Sequence, residues 1–141
     1  MGSLRYGFEK RLARTTFEQA VEKVTAALKS EGFGVLTEID VQDTLKKKLG
    51  VDFRRYVILG ACNPNLAHRA LGAEQQIGLL LPCNVVVQEA PEGVVVSIAD
   101  PRAMFTLVDN AALTPVADEA DQRLRRVIAS LSSEPEARAR A

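Results

Sequence analysis

Two copies of the dipeptide Cys-Asn, each beside a proline, are the residues of this sequence best suited to chemistry. They occur as Cys62-Asn63-Pro64 and Pro82-Cys83-Asn84. Pro64 suits the first position of a helix, which makes Asn63 the cap and places Cys62 just before the helix start. Backbone N–H groups at a helix start attract anions and favour the thiolate form of a neighbouring cysteine. We therefore predict a site for a small polar or anionic molecule at one end of a sheet, with five ligand-binding residues: Cys62, Asn63, Pro64, Cys83 and Asn84.

The two thiols also permit other interpretations. An enzyme would use Cys62 as the reactive thiolate and Cys83 as its resolving partner. A metal-dependent version adds His68, the one histidine of the chain, but these three residues lack the close spacing of a strong metal motif. Alternatively, both motifs serve only folding, because cysteine is often buried and Asn-Pro is common in turns, and the protein acts through its surface. The sequence identifies no cofactor.

Size, charge and missing motifs limit the function further. The chain has 141 residues, 47% of them hydrophobic, which is enough for the core of one globular domain. Its 18 basic and 18 acidic residues cancel, so no nucleic-acid partner is expected. With no apolar run near the roughly 20 residues of a membrane span, no leader and few cysteines, we predict a cytoplasmic protein without a membrane partner. Nucleotide-binding, nucleophile-elbow and C-x-x-C motifs are missing, which favours binding over catalysis.

The elements that position the two motifs follow from caps and apolar periodicity. Helices are predicted after five start signals: a capping box of Thr15 with Glu18, then Asp40, Asn63-Pro64, Asp100-Pro101 and Thr114-Pro115. Strands are predicted over five runs: 6–13, 33–39, 56–62, 84–89 and 94–99. In the second run we expect one face to carry Phe33, Val35, Thr37 and Ile39. Pro91-Glu92-Gly93 joins the last two runs as an antiparallel hairpin.

This order of elements predicts an α+β fold. We expect a single two-layer domain over residues 4–131, with a mixed, mostly antiparallel sheet of about five strands and helices packed mainly on one face. His68 is expected on the solvent side of its helix. Residues 132–141 have little to bury and are predicted to form a disordered tail.

Three stretches of the chain resemble a known family. They are residues 31–41 (EGFGVLTEIDV), 59–64 (LGACNP) and 78–87 (GLLLPCNVVV), and they resemble the domain-of-unknown-function family numbered 302. The resemblance covers about Tyr6 to Leu131 and includes both Cys-Asn motifs. It implies a compact α+β prokaryotic domain that occurs as a homodimer and has no established activity.

Overall fold

One antiparallel sheet organises the fold, and the computed structural model describes residues 2–134 of the chain. The strands are β1 (Gly2–Ser3), β2 (Gly7–Ala13), β3 (Gly34–Asp40), β4 (Tyr56–Cys62), β5 (Cys83–Ala90) and β6 (Gly93–Ala99). The helices are α1 (Phe17–Ser30), α2 (Val41–Leu49), α3 (Pro64–Ala73), α4 (Pro101–Phe105) and α5 (Thr114–Ser130). Two 3-10 turns, Gln75–Leu80 and Ala111–Leu113, complete the described elements.

The strand order across the sheet is β1-β2-β6-β5-β4-β3. Every pairing among the described strands is antiparallel, with five long strands and a two-residue strand at one edge. The predicted α+β class is therefore confirmed. The hairpin of β5 and β6 turns at residues 91–92, as the Pro-Glu-Gly signal predicts.

The core lies between the helices and one face of the sheet. Side chains alternate between the two faces of a strand, so every second strand residue points toward the helices. The buried residues that fill this layer include Phe8, Leu12, Val57, Leu59, Val85, Val87, Val96 and Ile98 from the strands, and Ala20, Val24, Leu28, Leu124, Val127 and Ile128 from α1 and α5. Each fully buried large aliphatic side chain contributes about 1.5 to 3 kcal/mol to folding.

Side-chain caps fix most helix starts as predicted, but the predicted caps of α1 and α5 are wrong. Thr114 is itself the first residue of α5, which follows Leu113 and has no side-chain cap. Asp40 caps α2 and Asp100 caps α4 through their carboxylates. The capping box of α1, however, is made by Thr16 with Gln19 and not by Thr15 with Glu18. Thr15 is buried, and its hydroxyl donates to the carbonyl of Ala13. The hydroxyl of Thr15 is thus already engaged, and the helix starts one residue later.

The predicted face of the second strand is wrong because β3 contains a bulge. Val35 pairs with Ala61 and Thr37 pairs with Gly60, which leaves Leu36 as the extra residue. A bulge reverses the alternation beyond it. Thr37 and Ile39 therefore lie on the opposite face from Val35, and both are exposed.

The end of α5 is tied to the first long strand. The ammonium of Lys10 donates to the carbonyls of Ile128 and Ala129, at 3.4 and 3.3 Å, and a cation at a helix C-terminus is favourable. The first residues of the predicted tail, 132–134, then run beside β2, where the hydroxyl of Ser133 accepts from the N–H of Ala13 at 2.8 Å. The rest of the predicted tail, 135–141, lies outside the described residues.

Candidate functional site

The first Cys-Asn corner joins the end of β4 to the start of α3. Asn63 is 7% exposed, and its side-chain oxygen accepts from the N–H of Leu66 at 3.2 Å. Its amide nitrogen donates to the carbonyl of Glu31 at 3.4 Å. Gly32, with φ of +83°, leaves space for this amide, since a Cβ at Gly32 would lie 2.9 Å from the Asn63 nitrogen. Asn63 therefore both caps α3 and ties it to the end of α1.

The second Cys-Asn corner begins β5, directly after the cis peptide bond between Leu81 and Pro82. Cys83 pairs with Ala61 and Asn84 pairs with Gly60. Strand alternation thus gives Cys83 the helix-covered face and leaves Asn84 on the other, where it is exposed. Antiparallel pairing brings both corners to the same end of the sheet, as the predicted site requires.

The two thiols are neighbours but occupy different positions. Both are free and half-buried. Cys83 pairs with Ala61 and shares its helix-covered face, whereas Cys62 is the last residue of β4, and both border the cavity described below. Burial, and to a smaller extent the proximity of Cys62, raises the pKa of the Cys83 thiol from 9.0 to about 11. At neutral pH Cys83 is therefore protonated, and a protonated thiol is a poor nucleophile and metal ligand.

The structure keeps His68 on the outside of α3. It is exposed, whereas Leu66 and Ala70 on the same helix are buried in the core. Within residues 2–134, no group of three or more His, Cys, Asp or Glu side chains is arranged to hold a metal ion.

Behind the two corners lies a small cavity, which we call the inner hollow. Its volume is about 30 Å³, which exceeds the roughly 10 to 15 Å³ that a cavity needs to hold one water molecule. Its lining comes from the sheet end and from α3, α4 and α5: Phe33, Ala61, Cys62, Asn63, Leu66, Ala67, Ala70, Leu81, Pro82, Cys83, Pro101, Phe105, Val116 and Ala120. None of these residues is charged.

A second and larger space, which we call the outer groove, adjoins the inner hollow. It measures about 140 Å³. The groove is lined by Leu79, Leu80, Leu81, Pro82, Cys83, Asn84, Ala99, Pro101, Met104 and Phe105, again without a charge. The two spaces share a wall made of five residues: Leu81, Pro82, Cys83, Pro101 and Phe105.

Other surface hollows in the described part of the chain differ in their lining. One beside α4 and the start of α5 contains Arg102, Asp109 and Asp118. Another, beside α2, contains Asp40, Asp43, Lys46 and Asp52. A third, at the start of α1, contains Arg14, Glu18, Arg55, Glu89 and Glu92. Charged groups line each of these three hollows, whereas none lines the two spaces at the sheet end with the Cys-Asn corners.

The sheet face that turns away from the core carries a second unusual surface, which we call the second sheet face. On β3 to β6, strand alternation assigns to it only uncharged residues: Thr37, Ile39, Tyr56, Ile58, Gly60, Asn84, Val86, Gln88, Val95, Ser97 and Ala99. Ile39 is 49% exposed. On β2 this face carries Glu9 and Arg11, and neither is in an ion pair with another described residue.

Much of the inner hollow is built by residues that no sequence motif marks. Leu66, Ala70, Val116 and Ala120 belong to ordinary apolar stripes of α3 and α5. Phe105 ends a helix of only five residues. Which of these side chains face a hollow depends on how the helices cross above the sheet, and the apolar period alone does not contain that information.

An antiparallel sheet covered by helices, with paired Cys-Asn corners at one end, defines a class of small α+β domain. Residues 8–131 match the family described as a domain of unknown function, DUF302, and the chain belongs to this family. It is similar to a crystal structure described as that of an uncharacterized conserved protein DUF302 from Bacillus stearothermophilus. The TM-score is 0.81 at 30% identity, over 88% of this chain and 96% of the other. No curated protein matches the chain.

No helix among the described residues is both long enough and apolar enough to cross a membrane.

Proposed function

We propose that this chain is a cytoplasmic module that binds a small, uncharged and mainly apolar molecule at the sheet end where the two Cys-Asn corners meet. The observation that carries the proposal is the absence of charge from the lining of the inner hollow and the outer groove. Charged residues form 26% of the chain. An apolar lining gains free energy by covering apolar ligand surface and has nothing with which to neutralise an ionic group.

This proposal differs from the sequence-based prediction of a polar or anionic ligand, because it replaces that ligand with an uncharged, mainly apolar one. Pro64 has no N–H, and the N–H of Leu66 is satisfied by Asn63. The first turn of α3 therefore offers an anion only the N–H of Asn65. An anion that entered the inner hollow would lose its hydration without meeting a cation, at a cost of several kcal/mol.

Two probes with the same carbon number test the proposal: 1-butanol, which is uncharged, and butyrate, which is anionic. Backbone amide NMR shifts of the protein are followed while each probe is added. We expect 1-butanol to shift amides around the inner hollow, such as those of Ala67 and Ala70, and butyrate to leave them unchanged. A larger response to butyrate overturns the uncharged-ligand proposal, and no response to either probe overturns ligand binding at this end.

A variant that fills the inner hollow tests the same proposal from the protein side. Ala67 is half-buried and lines the inner hollow, so Ala67→Leu places three further carbons in or near it. We expect this variant to lose the response to 1-butanol. Ala26→Leu is the control, because Ala26 is exposed on α1 and receives the same change away from both spaces.

Self-association is a second candidate function, and we propose that two copies pack through the second sheet face. Uncharged residues on four strands, most of them at least partly exposed, resemble the centre of a protein interface, where charges are depleted. The arrangement of Glu9 and Arg11 supports a symmetric pair. A two-fold axis that lies between the sheets, perpendicular to the strands, places Glu9 of one copy opposite Arg11 of the other and repeats that contact. Such an axis also places Ile58 opposite Tyr56 of the second copy.

The mass in solution tests this second proposal. Light scattering during size-exclusion chromatography should give about twice the 15.3 kDa of one chain. Val86→Lys places a charge at the centre of the second sheet face, and we expect it to give the single-chain mass. Thr25→Lys on the exposed side of α1 should remain dimeric. A wild-type protein that is monomeric at 50 µM, or a Val86→Lys protein that stays dimeric, contradicts this arrangement.

A further inference from the structure

The inner hollow and the outer groove lie on two sides of one wall. Leu81, Pro82 and Cys83 form the strand side of this wall, and Pro101 and Phe105 form the α4 side. The inner space holds about 30 Å³ and the outer about 140 Å³. A molecule that occupies both must be narrow at its inner end and can be wider outside.

Phe105 is the residue of this wall that borders the most open space. It borders the inner hollow, the outer groove and also the charged hollow beside α4. Side chains in a protein core normally contact neighbours on all sides, and a void removes those contacts. Next to it, Met104 is half-buried and lines the outer groove, and methionine adapts its shape readily to a ligand.

The lining of the outer groove includes one exposed polar side chain, Asn84, and one exposed apolar side chain, Leu79. Asn84 is exposed and lines the groove, so its side-chain amide can donate to or accept from a hydroxyl, amide or ester. Leu79 lines the same groove although its side chain is 82% exposed. Apolar surface that borders a groove in this way is available to the body of an apolar ligand.

We infer that the two spaces form one binding site for an unbranched alkyl chain with an uncharged polar end. The narrow end of the chain passes Phe105 into the inner hollow, its middle lies against Leu79 and Met104, and its polar end meets the amide of Asn84. This inference rests on the proposed function, and it adds the shape and chemical class of the ligand.

A series of primary alcohols from ethanol to 1-octanol tests the shape of the site. We expect the affinity from NMR titration to rise about fourfold for each added methylene until both spaces are filled. We also expect 1-hexanol to bind at least tenfold more tightly than its branched isomer 3,3-dimethyl-1-butanol, because the branched end does not fit the inner hollow. Equal affinity for the two isomers, or no dependence on chain length, overturns the inference.

Two variants test the elongated site separately from the proposed small-ligand site. Leu79→Ser removes apolar surface only from the outer groove, at a side chain too exposed to affect folding. We expect it to weaken 1-octanol at least threefold and to leave 1-butanol unchanged. Ala67→Leu should abolish the binding of both.

The results of these two variants distinguish failure of the elongated site from failure of the small-ligand site. If Ala67→Leu blocks 1-butanol but Leu79→Ser does not weaken 1-octanol, the elongated site is wrong and the small-ligand site stands. If Ala67→Leu changes neither alcohol, both proposals fail. The wild-type thermal unfolding temperature, retained in Leu79→Ser, serves as the check on folding.

Discussion

The two Cys-Asn corners have the same dipeptide and lie side by side at one end of the sheet, yet their asparagines have different structural roles. Asn63 is buried and holds α3 through two hydrogen bonds, whereas Asn84 is exposed within β5. The proline decides the difference, because Pro64 follows its Cys-Asn pair and begins a helix, whereas Pro82 precedes its pair and leads into a strand. A repeated motif therefore indicates a shared location here, and its neighbours decide the role of each copy.

The thiols of the two corners differ in the same way. Cys83 shares the helix-covered face with Ala61, and burial raises its pKa to about 11. This argues against the thiol-based alternative in which Cys83 resolves a disulfide at neutral pH, since the attacking species is the thiolate. The thiol hypothesis stays a prediction, and the reactivity of Cys83 is its most direct test.

The largest effect that we expect in this comparison is on alkylation of Cys83. In a Cys62→Ser protein, iodoacetamide should modify Cys83 at pH 8 about 100-fold more slowly in the folded than in the urea-unfolded state, because a rise in pKa from 9.0 to about 11 reduces the thiolate fraction by about that factor. Mass spectrometry against time gives both rates. Equal rates in the two states would remove the burial argument and revive the thiol hypothesis. The matched protein is Cys83→Ser, in which only Cys62 can react, and the same two rates are measured for that thiol.

The next effect concerns the two asparagines. Asn63→Ala removes the cap of α3 and leaves the N–H of Leu66 without its partner, so we expect a loss of about 2 kcal/mol in the free energy of unfolding. Asn84→Ala should change it by no more than about 0.5 kcal/mol, because the side chain is exposed. Urea denaturation of the two variants measures the difference. Similar losses in both would show that the corners are structurally equivalent, contrary to the assignment above.

The smallest effect is the pH dependence that Cys83 adds to stability. Because its pKa is higher in the folded chain, the unfolded chain releases the thiol proton first, and stability falls as pH rises from about 9 to about 11. Because Cys83 keeps some contact with solvent, we expect the free energy of unfolding to fall by about 1 to 2 kcal/mol over this range. This is less than the full pKa shift would give.

Comparison with Cys83→Ala isolates this contribution, since other groups titrate in the same range. The wild-type free energy of unfolding should fall more steeply than that of Cys83→Ala between pH 9 and 11. Cys62→Ala should follow the wild-type slope. If Cys83→Ala and the wild type have the same slope, the raised pKa is not a property of the folded chain in solution.

Features that depend on a few neighbouring residues were predictable. The helix after Asp40 and the helix that starts at Pro64 after the Asn63 cap begin where their signals place them. The start of α1 was displaced by one residue because two adjacent threonines each had a partner three positions later. Only Thr16 was free for the cap, since Thr15 is buried against the carbonyl of Ala13.

Features that depend on distant residues were not predictable to the same degree. The bulge at Leu36 is defined by the pairing of β3 with β4, and without it the faces of Thr37 and Ile39 were assigned incorrectly. The inner hollow was also missed, although both Cys-Asn corners were identified. Its walls include Phe33, Phe105 and Ala120, which are far apart in the chain and carry no motif.

The amino-acid sequence by itself determined the order of the main helices and strands, the α+β class, and the strand-end and helix-start positions of the two Cys-Asn corners. The reason is that caps, proline positions and apolar periods act over three or four residues. The tertiary structure decided that the corners meet, that Cys83 takes the helix-covered face of the sheet while Asn84 takes the other, and that an uncharged hollow lies behind them. Those properties come from strand register and from the packing of α3, α4 and α5 over the sheet, which involve residues that are distant along the chain.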